Sequence, residues 1–366
     1  MAPTLREKFR GCIAASWIGS AMGAVVEGWS RERVKQTYGF LDSLKPYAHY
    51  AGTWQRLPGT TEDGIERQKL ITTAIIEKQD RILAHDLAAV WMRDLSPERM
   101  VYKQEAFDRS LFELAKAGVP PSELGGLWPF PNVVTLARAS HPLGLINAGD
   151  PRGAADDSFQ VGQVYLRPTT FGVRWAALYN ASIAEACRPG ATVESVISTA
   201  KQFVHYRAEA GSLYRIYDTI EQEVSHAFEL AAKHTDPMAM REEFYQFYEG
   251  GNYFNYGISQ ANEIVSKGLA VFAISKGDPK AAILTAVNFG RDTDCLAAVA
   301  GGLSGALSGT AGLPGEWIEQ VNEATRQDPY TNNRRTIEEA ADGLYDAFQA
   351  RMRRLGGYVR MMGEGR

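Results

Sequence analysis

The sequence predicts an all-α protein, organised as one large bundle of helices. Three observations carry that prediction. Apolar residues recur at helical spacing along most of the 366-residue chain. Alternating strand-like runs are nearly absent, and the best candidate, residues 163–166, is short. Residues 11–26 and 292–311 are rich in glycine and alanine, the composition of helices that pack backbone against backbone.

Composition and length agree with this class. A hydrophobic fraction of 45% with 22% charged residues belongs to a globular protein and not to a disordered chain. A chain this long buries enough surface to fold without disulfides or a structural metal. Its length alone, at roughly 150 residues per domain, suggests two domains. No low-complexity linker and no repeat of fixed period divides it, however. The expectation is therefore a single helical domain over residues 1–366, with a core over about 5–325 and a C-terminal helix and tail over about 335–366.

The elements follow in chain order. The uncharged stretch 11–26 comes after Arg6, Lys8 and Arg10 and has the outline of a signal peptide. Glu7 sits among the bases, though, and glycine and alanine stand where leucine should dominate. The stretch is also short and weakly apolar for a bilayer span, so the reading is a buried helix. Residues 62–79 place Ile65, Leu70, Ile71, Ala74, Ile75 and Ile76 near one helical face. Residues 171–187 read as a buried helix stopped by Pro189 and Gly190, and 191–206, 212–234 and 259–276 repeat the alanine-rich pattern. Gly277 is a C′ residue, Asp278 an N-cap and Pro279 the first position of the next helix. Residues 36–60 and 118–152 are irregular and rich in proline and aromatics. Segments of that length are uncommon in a compact protein unless they shape a site. The basic tail 351–366 reads as a solvated helix end.

Several functions are excluded or disfavoured. Lysine and arginine number 39 against 43 acids, a formal charge of −4, which argues against a nucleic-acid binder. Cys12, Cys187 and Cys295 are widely spaced with no CxxC pair, so neither a disulfide framework nor a zinc ribbon is supported. A reducing, cytoplasmic setting with no membrane partner is the simplest reading. The six histidines form no ligand cluster. Cys295 has no histidine near it in sequence to activate it as a nucleophile.

The candidate chemistry lies at two acidic helix starts. Thr61, Glu62 and Asp63 precede one helix, and Asp292, Asp294 and Cys295 precede the glycine-rich one. Either alone is explained by capping, since acids and threonine satisfy free N–H groups and complement the helix dipole. Together they supply the hard oxygen donors that Mg²⁺ or Mn²⁺ takes. Close packing of the two glycine-rich helices would bring Glu27 beside Asp292 and Asp294. His141, in the second irregular segment, is a candidate for the cleft wall. Tyr253 and Tyr256 could stack on a base or sugar, or simply pack a helix start.

These residues carry a resemblance. RGCIAASWIGSAMGAVVEGW, GTTEDG and AVNFGRDTDCLAAVAGGLSGALSG occur in the order and character of the three signature stretches of the ADP-ribosylglycohydrolase family, and SHPLGLINAGDPRGAADD resembles a fourth. The resemblance implies an orthogonal helical bundle with a binuclear Mg²⁺ or Mn²⁺ centre in a central cleft. It implies hydrolysis of a glycosidic bond at the anomeric carbon of a riboside or an ADP-ribosylated substrate. Thr61, Glu62, Asp63, Asp292 and Asp294 would be metal ligands, with Cys295 at the position of a further one. Glu27, Glu62, Asp63 and Asp292 would serve catalysis. Glu27 would also contact substrate, and Asn288 and Gly290 would shape a turn facing it.

Departures from the family pattern accompany the matches. Glu62 replaces an aspartate, Gly64 a threonine and Ser20 an aspartate, while Cys295 puts a thiol, a poor Mg²⁺ partner, at a ligand position. The family's Thr-His segment has no counterpart. They leave room for a smaller N-glycoside as substrate, or for a catalytically silent binding protein of the same fold.

Overall fold

A computed structural model of the chain describes residues 2–49, 54–100, 106–208, 219–249 and 258–363. Its α-helices run α1 Leu5–Gly23, α2 Arg31–Tyr38, α3 Asp63–Lys78, α4 Ala84–Asp94, α5 Ala106–Lys116, α6 Pro121–Leu124, α7 Thr135–Ala139, α8 His141–Ile146 and α9 Pro151–Val161. They continue as α10 Phe171–Ala186, α11 Val193–Phe203, α12 Ile220–Lys233, α13 Pro237–Glu249, α14 Ala261–Ile274, α15 Pro279–Val287, α16 Thr293–Ser308, α17 Gly315–Gln327 and α18 Ile337–Gly363. The strands among the described residues are β1 Tyr47–His49 and β2 Trp54–Arg56, an antiparallel pair.

Two helices from opposite ends of the chain form the centre. α1 and α16 lie so close that a Cβ on Gly305 would sit 2.0 Å from the Gly11 carbonyl oxygen, and one on Gly19 would sit 2.3 Å from that of Ala297. Only glycine permits such an approach, which outweighs its cost of up to about 1 kcal/mol in a helix interior. The Thr293 hydroxyl donates to the Gly23 carbonyl at 2.8 Å and fixes the register at the upper end. α18 covers the other side of α1, with Tyr345 and Phe348 against the Phe9 ring and Asp342 bridging Arg6 and Arg10.

By length and composition the stretch Leu5–Val26 is apolar enough to cross a membrane, longer than residues 11–26 alone suggest. Ninety-four per cent (94%) of its most apolar window is nevertheless buried inside the fold. The first turns of α1, residues 5–10 ahead of the uncharged stretch, account for the extra length.

Residues 163–166 form no strand; they run through and past a 3₁₀ turn, Gly162–Val164, that closes α9. The second irregular segment is broken by proline and glycine into the short helices α6, α7 and α8. The first irregular segment holds the end of α2 and the paired strands β1 and β2.

A polar network crosses the core below the helix starts. Gln68 of α3 accepts from the Trp17 indole at 2.6 Å and donates its amide to His141 Nδ1 at 2.9 Å. The other ring nitrogen, Nε2, lies 3.1 Å from the Ala298 carbonyl and 2.8 Å from the Tyr179 hydroxyl, whose own proton goes to the Val299 carbonyl. These contacts define a neutral imidazole protonated at Nε2. One side chain thereby ties α1, α3, α8, α10 and α16 together.

Two predictions follow from this packing. Gly305→Ala forces a methyl group into the Gly11 backbone and should prevent folding or lower the thermal midpoint by many degrees. Gly357→Ala, whose Cβ meets nothing within 4 Å, should leave the midpoint unchanged or raise it slightly. Burial pulls His141 down to about 4, below the ordinary 6.5 it regains on unfolding. Its contribution is then full above pH 6.5 and is lost as the pH falls from 6.5 to 4, by on the order of 3 kcal/mol. Denaturant titrations across that window should show the loss in the wild type and its absence in His141→Gln.

Candidate active site

Four segments converge at the upper ends of α1, α3 and α16. After α1 the chain tightens into the 3₁₀ turn Ala24–Val26 and leaves at Glu27 in an extended conformation. Beyond it, the Gly28 amide donates to the Arg291 carbonyl at 2.8 Å and the Arg291 amide donates to the Trp29 carbonyl at 2.7 Å. This short bridge clamps Glu27 beside the start of α16. On the far side of the same turn, Arg291 takes a left-handed φ of 66°. Its guanidinium is held in a fork by Glu263, at 2.6 and 3.1 Å, and Lys267 braces the same carboxylate at 2.7 Å.

Glu62 and Asp292 occupy the N-cap positions of α3 and α16, and neither side chain caps its helix. That removes the capping explanation for both. Glu62 is taken instead by the hairpin: the Tyr47 phenol, kept neutral by burial and by the carboxylate itself, donates to Oε1, and Arg56 lies 3.6 Å from the same oxygen. The Glu62 amide donates to the Ser20 hydroxyl at 3.3 Å. Thr61 is buried just ahead of it.

Asp63 is held by two guanidiniums. Arg67 and Arg138 both donate to its Oδ2, Arg138 at 2.6 Å. Burial pushes this carboxyl up, but Arg138 and Arg67 overcome it and hold it down at about 2. The other nitrogen of Arg138, Nη1, lies 3.1 Å from Cys295 Sγ. One guanidinium therefore joins the start of α3 to the start of α16. Burial keeps the Cys295 thiol protonated despite Arg138.

Asp292 and Asp294 have the opposite surroundings. Both are buried, and Asp292 Oδ1, Asp292 Oδ2 and Asp294 Oδ1 have no hydrogen-bond donor among the described residues. Their ligating oxygens and Cys295 Sγ all lie within 4.8 Å of one another. Burial, then Glu27 and Asp292, push the Asp294 carboxyl well up. Burial, then Glu62, Asp292 and Asp63, do the same to Glu27. Buried carboxylate oxygens without donors cost free energy unless a cation or protons compensate them. The aspartate pair thus fits a hard divalent cation. The Asp63–Cys295 half fits one poorly, because Arg138 already supplies its positive charge.

The structure brings together Glu27, Thr61, Glu62, Asp63, Asp292, Asp294 and Cys295. Asn288 is buried beneath them as a structural staple, accepting from the Leu41 amide and donating to the Leu41 and Leu284 carbonyls. Gly290 forms the turn, with φ +84°. The expectation that His141 lines the cleft is corrected: it is fully buried and both ring nitrogens are engaged in the core network. Tyr253 and Tyr256 lie outside the described residues. Arg138, Arg56 and Tyr47 were not singled out from the sequence, although the two irregular segments that carry them were.

Comparison with known proteins places this geometry in context. A family model described as ADP-ribosylglycohydrolase matches residues 1–354. An uncharacterised protein of Archaeoglobus fulgidus is 25% identical over 351 residues, covering 93% of this chain and 97% of the other. The ADP-ribosylarginine hydrolase Tri1 of Pseudomonas putida is 55% identical over 40 residues, 11% of each chain. Among solved structures, one described as an ADP-ribosylglycohydrolase-related protein complex aligns with a TM-score of 0.63 at 17% identity, over 94% of this chain and 99% of that one.

The unpaired carboxylates yield a prediction. In metal-free buffer Asp292→Asn removes a buried charge and should stabilise the protein, by on the order of 1–3 kcal/mol. Adding Mn²⁺ should raise the melting temperature of the wild type through binding to the folded state and leave that of the variant nearly unmoved. Thermal-shift measurements with and without chelator read both effects.

Proposed function

The chain belongs to the ADP-ribosylglycohydrolase family, and from that premise we propose that it is a hydrolase cleaving the glycosidic bond at the anomeric carbon of an ADP-ribosyl or smaller riboside substrate. The observation that carries the proposal is the buried Asp292–Asp294 pair, set at a helix start whose capping it does not serve and left without donors. Asp292 and Asp294 would hold a Mg²⁺ or Mn²⁺ ion, which supplies Lewis acidity for water activation and for orienting ribose hydroxyls.

The chain's own residues supply the rest. Glycoside cleavage passes through an oxocarbenium-like state, so positive charge develops at the anomeric carbon. Glu62 and Asp63, fixed by Tyr47, Arg56, Arg67 and Arg138, present preorganised negative charge to that state without having to reorient. Glu27, clamped by the Gly28–Arg291 bridge, is the half-buried carboxyl at the rim. It is placed to exchange a proton with the attacking water or the leaving group. The free, buried thiols of Cys12, Cys187 and Cys295 support a reducing, cytoplasmic setting.

One observation favours a second reading. Asp63 is held by two arginines, as in a structural ion-pair network, and a silent binding protein could retain such a network. An assay separates the two. Purified protein with Mg²⁺ or Mn²⁺ should release ADP-ribose from ADP-ribosyl-arginine, or free base from a member of a riboside panel. Glu27→Gln and Asp294→Asn should each lower kcat by about 10²–10³. Absence of turnover across the whole panel, with ligand binding retained, would establish the silent reading.

A further inference from the structure

The charges of the cleft are divided unequally between its two halves. On the α3 side, Glu62, Asp63 and Asp108 are matched by Arg56, Arg67 and Arg138, all within ion-pair distance. On the α16 side, Asp292 and Asp294 form no ion pair among the described residues, and three of their oxygens lack any donor. The two halves meet at Arg138. Its guanidinium spans them, with Asp63 Oδ2 at 2.6 Å on one nitrogen and Cys295 Sγ at 3.1 Å on the other.

We propose that Arg138 is a built-in cation standing where a second metal ion would otherwise bind, so that this cleft takes one divalent ion, on Asp292 and Asp294, and not two. The inference rests on the reading that the aspartate pair holds a divalent ion. A guanidinium between Asp63 and Cys295 satisfies the carboxylate with a charge-assisted hydrogen bond. It also leaves the thiol as a weak neutral acceptor, a role that needs no thiolate. A divalent ion brought to the same place would face the positive charge of Arg138 at contact distance, in a buried setting where that repulsion is poorly screened.

The space for Arg138 is itself encoded. A Cβ on Gly64 would lie 2.8 Å from Arg138 Cδ and 3.1 Å from Cγ. Any other residue at 64 would therefore push the arginine stem away from Asp63. Gly64, Arg138 and Cys295 act as one unit: the glycine admits the side chain, and the carboxylate and thiol receive its two ends. Another sequence departure, Glu62, is drawn to the hairpin by Tyr47 and Arg56.

Stoichiometry tests the proposal independently of turnover. Wild-type protein is dialysed to saturation with Mn²⁺, bound metal is counted by mass spectrometry, and low-temperature electron paramagnetic resonance distinguishes isolated from exchange-coupled ions. One ion per chain with an isolated six-line spectrum is expected. Arg138→Ala should bind a second ion and give a coupled spectrum. Gly64→Ala, which keeps the helix and displaces the arginine stem, should weaken the exclusion in the same direction. Two ions in the wild type would overturn the inference and leave the reading of the aspartate pair standing. No bound ion would overturn both. An Arg138→Ala protein that folds and still takes one ion would also overturn it, because the guanidinium would then not be what excludes the second.

Discussion

The backbone contact between α1 and α16 is the constraint on which the rest of this structure depends. With no room for even a Cβ between Gly305 and the Gly11 carbonyl, neither helix can rotate or slide by a residue without collision. Their relative register is thereby set at three levels, Gly11 against Gly305, Gly19 against Ala297 and Gly23 against Thr293. Everything above inherits that register. Thr293 meets Gly23, the chain beyond α1 meets the turn before α16, and Glu27 arrives beside Asp292 and Asp294. Carboxylates this close repel one another, and flexible elements would let them separate. Two helices locked by glycine cannot yield, so the repulsion is retained as an affinity for positive charge.

That affinity is answered in two ways. Where the protein supplies its own cations, at Asp63 and Glu62, the carboxylates are oriented by guanidinium groups, and Asp63 is held well down. Where it supplies none, on the α16 side, burial and the neighbouring carboxylates push Asp294 and Glu27 towards their protonated forms. Both halves are largely withdrawn from water, so desolvation alone does not produce the contrast. The placement of three arginines does. Arg291, the nearest basic residue in sequence to Asp292, has a left-handed backbone and pairs with Glu263, and the aspartate pair forms no ion pair among the described residues.

How much of this was legible in the sequence follows from the range of each interaction. The glycines of α1 and α16 recur on one face and carry a cost in isolation, so a close helix pair was readable from local rules, and with it the convergence of Glu27 and Asp292. The acidic helix starts were readable as candidates only. A carboxylate at an N-cap has the same sequence signature whether it caps or not, and only the observed lack of a capping bond at Glu62 and Asp292 decides. Arg138 left no signal, because its partners lie 75 and 157 positions away and nothing in the residues around it marks an inward-pointing cation. His141 is a candidate for the cleft in the sequence only because its segment reads as irregular. The segment is a set of short helices, and these turn the imidazole into the core.

The departures at Gly64 and Cys295 look like decay when considered one at a time: a ligand softened, a polar residue next to a metal segment deleted. The geometry around Arg138 argues otherwise. Random loss of side chains in a buried acidic cluster leaves cavities and unpaired groups, each costing on the order of 1–3 kcal/mol. Here the volume surrendered at Gly64 is filled by the Arg138 stem, the charge of Asp63 is met by its guanidinium, and Cys295 receives the guanidinium's other end. Ordering a long arginine side chain in the interior costs about 2 kcal/mol of rotamer freedom and much more in desolvation. Such a side chain persists only where its hydrogen bonds are short and its neighbours are shaped to it, as Asp63, Gly64 and Cys295 are. The three positions form a co-adapted set that replaces part of the cleft's cation requirement, while the aspartate pair on α16 retains the remainder.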